Sequence, residues 1–101
     1  MIDAQELIDC VGAYNPKSNK ALLRDAYCYG KMKHKGQLRR SGEPYFAHPI
    51  EVAMILAKQK LDDATIITAL LHDTLEDTRS TKRDIATQFS PEIAELVDGV
   101  T

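Results

Sequence analysis

Ala69-Leu70-Leu71 runs straight into His72-Asp73, and Glu76-Asp77 follows three positions later. Four ionisable groups therefore close the most apolar stretch of the chain. Burying a charge without a partner costs several kcal/mol or moves its pKa, so these groups either lie at the surface or are held by something. Neighbours on a helix point about 100° apart, which lets His72 and Asp73 both reach one ion at the helix end. Residues four apart share a face; if the helix continues for a turn, His72 stacks over Glu76 and Asp73 over Asp77. Imidazole nitrogen with carboxylate oxygen suits manganese, iron or zinc better than calcium. A lone His-Asp pair commonly does no more than cap a helix. The apolar run before this pair and the acids after it favour a metal site.

His48, before Pro49, taken alone reads as an N-cap neighbour or a packed ring, because isolated histidines are seldom ligands. His34 ends an apolar stripe and reads as a core or C-terminal helix histidine, favoured there by the helix dipole, and not as a ligand. Arg39 and Arg40 share a turn with Ser41 and Gly42. Guanidinium groups pair with phosphate oxygens and stack on bases, although loop arginines are more commonly just solvated. The short tether from this turn to His48 keeps anion binders near a metal.

The elements that must position these residues are helical, since strand signals are nearly absent. Asp3 is placed to cap a first helix with Leu7, Val11 and Tyr14 on one face, and Asn15-Pro16 ends it. A second helix begins near Ser18, aligns Leu23, Tyr27, Gly30 and His34, and stops at Gly36. His48-Pro49 opens a third, with Pro49, Val52, Ala53 and Leu56 inward. Asp62 caps a fourth, whose Ile66, Ile67, Ala69, Leu70 and Leu71 leave almost no polar side, the pattern of a central helix. Thr81 with Asp84 resembles a capping box for a fifth, carrying Ile85 and Phe89. Ser90-Pro91 starts a sixth, with Ile93, Leu96, Val97 and Val100 inward. The expected fold is all-α, a compact bundle of about five or six helices.

With 101 residues the chain is one domain at most. No apolar run reaches the roughly 18 residues of a membrane span. Cys10 and Cys28 are too few and too far apart for a disulfide framework or a thiolate metal site, and the thiols are given no role. A reduced, cytoplasmic setting is expected. Net charge is −2, yet eight basic residues and a single acid, Asp25, lie between Lys17 and Arg40. Such a block in an acidic chain points to an anionic partner. Nucleic acid is not the expected one: Tyr27, Tyr29, Tyr45 and Phe46 make no evident stacking platform.

The segments HKGQLRRSGEPYFAHPIEVAMILAKQKLD, ALLHDTLEDT and AELVDGVT closely resemble the hydrolase domain of RelA/SpoT-homologue enzymes, bacterial alarmone enzymes of the HD phosphohydrolase superfamily. The match covers about Leu22 to Thr101, with weaker similarity back to the first helix. GQxRxSGEPYxxHP followed by ALLHDxxEDT is a long double motif, far more specific than a bare His-Asp.

The resemblance implies a helical domain that removes the 3′-pyrophosphate of guanosine tetra- or pentaphosphate, releasing GDP or GTP and pyrophosphate, with bound manganese. It implies His48, His72 and Asp73 as metal ligands, Glu76 and Asp77 as the pair that positions or activates water, and Arg39, Arg40 and Ser41 as the guanine- and phosphate-contacting loop. The family's fourth metal ligand is an aspartate on a later helix, which no residue here matches. Residues 1–101 are thus expected to be the N-terminal portion of an HD-type hydrolase domain. The parent would be bifunctional, making and degrading the alarmone. The fragment itself would have weak metal affinity, weak or no activity and a tendency to self-associate. Two other readings stand beside this one: an HD phosphohydrolase of another nucleotide, and a non-catalytic regulatory or interaction module that keeps the fold.

Overall fold

In the computed structural model, which describes residues 1–100, the helical periodicity resolves into seven segments. They are α1 (Ala4–Tyr14), α2 (Lys20–Lys33), α3 (Ala47–Lys58), α4 (Asp63–Leu71), the single turn α5 (Thr74–Asp77), α6 (Lys82–Gln88) and α7 (Pro91–Gly99). Among the described residues there is no strand, only an isolated antiparallel bridge between Leu38 and Pro44. Thr101, the last residue of AELVDGVT, lies outside the described residues. No described helix is long and apolar enough to cross a membrane.

The central helix is α4. Its Ile66 to Leu71 are all buried, and it packs against α2, α3 and α7. The crossing with α2 is set by Gly30. A Cβ added there would lie 2.5 Å from the Phe46 ring and 2.8 Å from the Leu70 carbonyl oxygen, so only glycine allows this approach. Phe46, itself 2% exposed, meets Tyr27 edge to face with ring centroids 5.1 Å apart, a favoured aromatic geometry.

The helix starts follow the expected local chemistry. Asp3 accepts from the Glu6 N–H, Asp62 from Thr65 and Ser90 from Ile93, and Thr81 with Asp84 forms a reciprocal capping box. Three details differ. The cap of α2 is Asn19, because the Ser18 hydroxyl donates to Asp63 Oδ1 (2.8 Å) while Asn19 Oδ1 accepts from the Leu22 N–H (3.0 Å). Helix α3 begins one residue early, at Ala47, where Ala47 N and His48 N already bond back to Pro44 and Tyr45. Leu96 and Val100 point outward, 46% and 60% exposed. Helix α7 packs on α4 and α6, and the narrow stripe of Ile93, Ala94 and Val97 is enough to cover that contact.

Replacing Gly30 by Ala should lower stability by about 1–3 kcal/mol, the usual cost of overpacking, read as a fall in Tm by circular dichroism. An unchanged Tm would mean that α2 can retreat at no cost. Hydrogen bonds from Thr65, side chain then backbone, hold the Asp62 carboxyl below its ordinary 3.8. A carboxylate with a depressed pKa stabilises above its unfolded value, and that contribution fades as pH falls through the folded one. Asp62→Ala should therefore cost about 1 kcal/mol near neutral pH, and the gap from the native protein should close on acidification below 3.8. A gap of constant size across that range would contradict the cap.

Candidate functional site

The C-terminal end of α4 is closed by side chains. His72 Nδ1 donates to the Ala69 carbonyl (2.6 Å) and Thr74 Oγ1 to the Leu71 carbonyl (2.7 Å), satisfying groups that a helix end leaves bare. His72 and Asp73 keep right-handed helical backbone between α4 and α5, and Asp77 N donates to the Asp73 carbonyl at 3.0 Å. The helical course thus resumes after a break, and residues 73 and 77 stay one turn apart.

A carbonyl can only accept, so the Ala69 contact assigns the His72 hydrogen to Nδ1. The nitrogen turned toward Asp73 is then Nε2, 3.2 Å from Oδ2. On a neutral ring this is a lone pair facing a carboxylate oxygen. The contact becomes attractive only with positive charge between them, from a second ring proton or from a cation. Two ligands about 2.1 Å from one ion and at right angles stand about 3 Å apart, so His72 and Asp73 fit as neighbouring ligands of a divalent metal. Both side chains remain partly open to solvent. His48 is exposed at the start of α3 and is not gathered with them: among the described residues, no three His, Cys, Asp or Glu form a metal-holding group.

The loop between α2 and α3 meets this end of α4 through Tyr45. Its hydroxyl lies 2.9 Å from Asp77 Oδ2 and 3.1 Å from Asp73 Oδ2. Burial, then the hydrogen bond to Asp77 and the charge of Asp73, push the hydroxyl well above its ordinary 10.0, so it remains a proton donor. The ring stacks on His34 with centroids 4.7 Å apart. His34 is 2% exposed, a buried histidine at the end of α2 as its stripe predicted. Gln37 Nε2 donates to the Asp77 carbonyl (2.7 Å), which leaves Gln37 Oε1 to accept from His34 Nδ1 (2.9 Å). His34 Nε2 is then a buried acceptor with no hydrogen-bond partner among the described residues.

The same loop carries Arg39, Arg40 and Ser41. Gly42 N donates to the Arg39 carbonyl (2.9 Å) and Arg39 N to Glu43 (2.8 Å), closing a tight turn. Gly42 at φ +88° supplies the left-handed backbone that side chains disfavour. Both arginines are exposed, and among the described residues neither has an ion-pair partner. They line an open groove with Leu38, Ser41, Glu43 and Tyr45. A second groove, which includes Lys33, Gln37, Glu76, Asp77 and Arg79, takes in the acid pair. Glu76 is exposed there, and of the two acids only Asp77 is tied to the loop among the described residues. Tyr45 and Gln37 were not singled out by sequence reasoning, and the one signal for them was their place beside RRSG in the quoted motif.

A family model described as HD domain matches residues 26–101. Over 101 residues the chain is 52% identical to the GTP pyrophosphokinase rsh of Brucella melitensis biotype 1, covering 100% of this chain and 14% of that protein. It is 52% identical over 91 residues to a GTP pyrophosphokinase of Myxococcus xanthus, covering 90% of this chain and 12% of that protein. With the bifunctional (p)ppGpp synthase/hydrolase SpoT of Escherichia coli K12 it shares 45% identity over 97 residues, 96% of this chain and 14% of that protein. The chain thus spans at most 14% of the length of these relatives.

Manganese added to the chain should broaden the nuclear magnetic resonance signals of His72 and Asp73 first, and His72→Ala should abolish that local effect. Broadening that begins instead at Asp62 and Asp63, or that is indifferent to His72, would overturn the pairing of His72 and Asp73 as candidate ligands.

Proposed function

The chain belongs to the HD-domain family and, within it, to the stretch shared with RelA/SpoT-homologue enzymes; from that membership we propose that its site serves hydrolysis of the 3′-pyrophosphate of guanosine tetra- or pentaphosphate in a longer, bifunctional parent. The supporting relatives include one named as a bifunctional (p)ppGpp synthase/hydrolase and one named as a guanosine-3′,5′-bis(diphosphate) 3′-pyrophosphohydrolase. The observation that carries the reading is the junction at Tyr45. One side chain joins the loop bearing Arg39, Arg40 and Ser41 to Asp73, beside His72, and to Asp77.

The roles follow from chemistry. Arg39 and Arg40, free of carboxylate partners among the described residues, would take phosphate oxygens or stack on the guanine, with the Ser41 hydroxyl as a further donor. His72 and Asp73 would hold the metal, and His48, the third position of the family's ligand pattern, would have to move in from the start of α3 to join them. A bound manganese ion would supply Lewis acidity, lowering the pKa of a coordinated water and polarising the phosphoryl group. Asp77, with Glu76 beside it, would take a proton from the attacking water. The bond broken joins the 3′ oxygen to phosphorus; the new bond joins the water oxygen to that phosphorus. Pyrophosphate leaves and the 3′ oxygen ends as a hydroxyl.

The test is pyrophosphate release from ppGpp with manganese, run on this chain, on a version extended toward the length of its relatives, and on the extended His72→Ala variant. Turnover by the extended protein alone, lost in the variant, is the expected result. An inert extended protein would favour a regulatory module that has kept the fold. Faster turnover of another nucleotide would move the substrate.

A further inference from the structure

We propose that Tyr45 is a positioning residue for this chemistry, acting through Asp77 and holding it in register with the arginine loop. The inference rests on the hydrolytic reading above and names a residue that the ligand and acid roles do not include.

The partners of the described tyrosines set Tyr45 apart. The Tyr14 hydroxyl donates to the Leu61 carbonyl and that of Tyr27 to the Ile2 carbonyl, which are structural bonds to main chain. Tyr29 pairs with the Ser80 hydroxyl. Tyr45 alone among them addresses carboxylates, and it addresses two.

Asp77 is the last residue of a four-residue helix and is exposed. Among the described residues, Tyr45 is the one side chain hydrogen-bonded to its carboxylate. Without that bond, nothing described would select a rotamer for it. The Asp77 main chain is held as well, because Gln37 Nε2 donates to its carbonyl. Gln37 and Tyr45 are themselves joined, Tyr45 N donating to the Gln37 carbonyl at 2.9 Å. Asp77 is thus fixed at two points by two residues of one loop.

His34 completes the circuit by stacking under the Tyr45 ring while bonding Gln37. A phenol has one proton, so it donates to one carboxylate at a time. The shorter contact favours Asp77, which leaves Asp73 Oδ2 to face His72 Nε2.

Tyr45→Phe keeps the stacked ring and deletes only the hydroxyl. In the extended protein it should lower kcat for pyrophosphate release by about 10–100-fold, the usual loss when a group orienting a ligand or base is removed, with KM for ppGpp within about two-fold of native. A KM rise at unchanged kcat, or no kinetic change, would overturn the positioning role.

A second measurement needs neither metal nor turnover. Tm shifts of this chain are read for Tyr45→Phe, Asp77→Ala and the double variant. If the hydroxyl is bonded to Asp77, the double variant falls by less than the sum of the two single shifts, whatever the hydroxyl regains at Asp73. Strictly additive shifts would overturn the bond. Were the native extended protein inert toward ppGpp, the hydrolytic reading would fall, while the thermal cycle would still decide whether Tyr45 orients Asp77.

Discussion

The arrangement depends on the burial of α4 from Ile66 to Leu71. A helix with apolar residues on every side has to be covered by its neighbours, and here α2, α3 and α7 do so. Thr68, the one buried polar side chain within the helix, turns its hydroxyl back to the Ala64 carbonyl, and the ionisable groups are left to the two ends. At the N-terminal end, Asp62 caps the helix and Asp63 receives Ser18 and Asn19 from the α1–α2 connection. At the C-terminal end, His72 and Thr74 satisfy the last carbonyls, and the outward-facing atoms of His72 and Asp73 become available for chemistry. The burial that stabilises the fold also decides where a reactive centre can stand.

Gly30 is the other half of that constraint. It lets α2 lie close enough to α4 for His34, four residues later and at the end of α2, to come beneath Tyr45. A bulkier residue at position 30 would separate the helices and shift the aromatic stack that braces the loop. The packing of the core and the placement of the carboxylates are therefore linked through two short steps.

Much of this was legible in the sequence because it is local. Caps at Asp3, Asp62, Thr81 and Ser90 act over three residues, and the all-round apolar pattern of α4 needs no partner to be read. What was not legible depends on distance. Ser18 and Asn19 are equally able to cap α2, and only the reach of Ser18 to Asp63, 45 residues away, settles which one does. Leu96 and Val100 fit an inward helical face by spacing, but how wide a face α7 needs is a property of its neighbours. The site divides the same way. His72, Asp73, Glu76 and Asp77 stand out by type and spacing, and Arg39, Arg40 and Ser41 by motif. The work of Tyr45 spans 28 and 32 residues, and that of Gln37 spans 40, beyond any local pattern.

The turn from Gln37 to Tyr45 is closed on itself by main-chain bonds, from Tyr45 to Gln37, Arg39 to Glu43 and Gly42 to Arg39. The backbone that carries the two arginines is accordingly ordered as the chain folds, before any ligand arrives. An anion meeting this loop would have only the guanidinium rotamers left to freeze, and each immobilised long side chain costs about 0.5–1.5 kcal/mol. Entropy that a floppy loop would surrender at every encounter is here lost once, during folding.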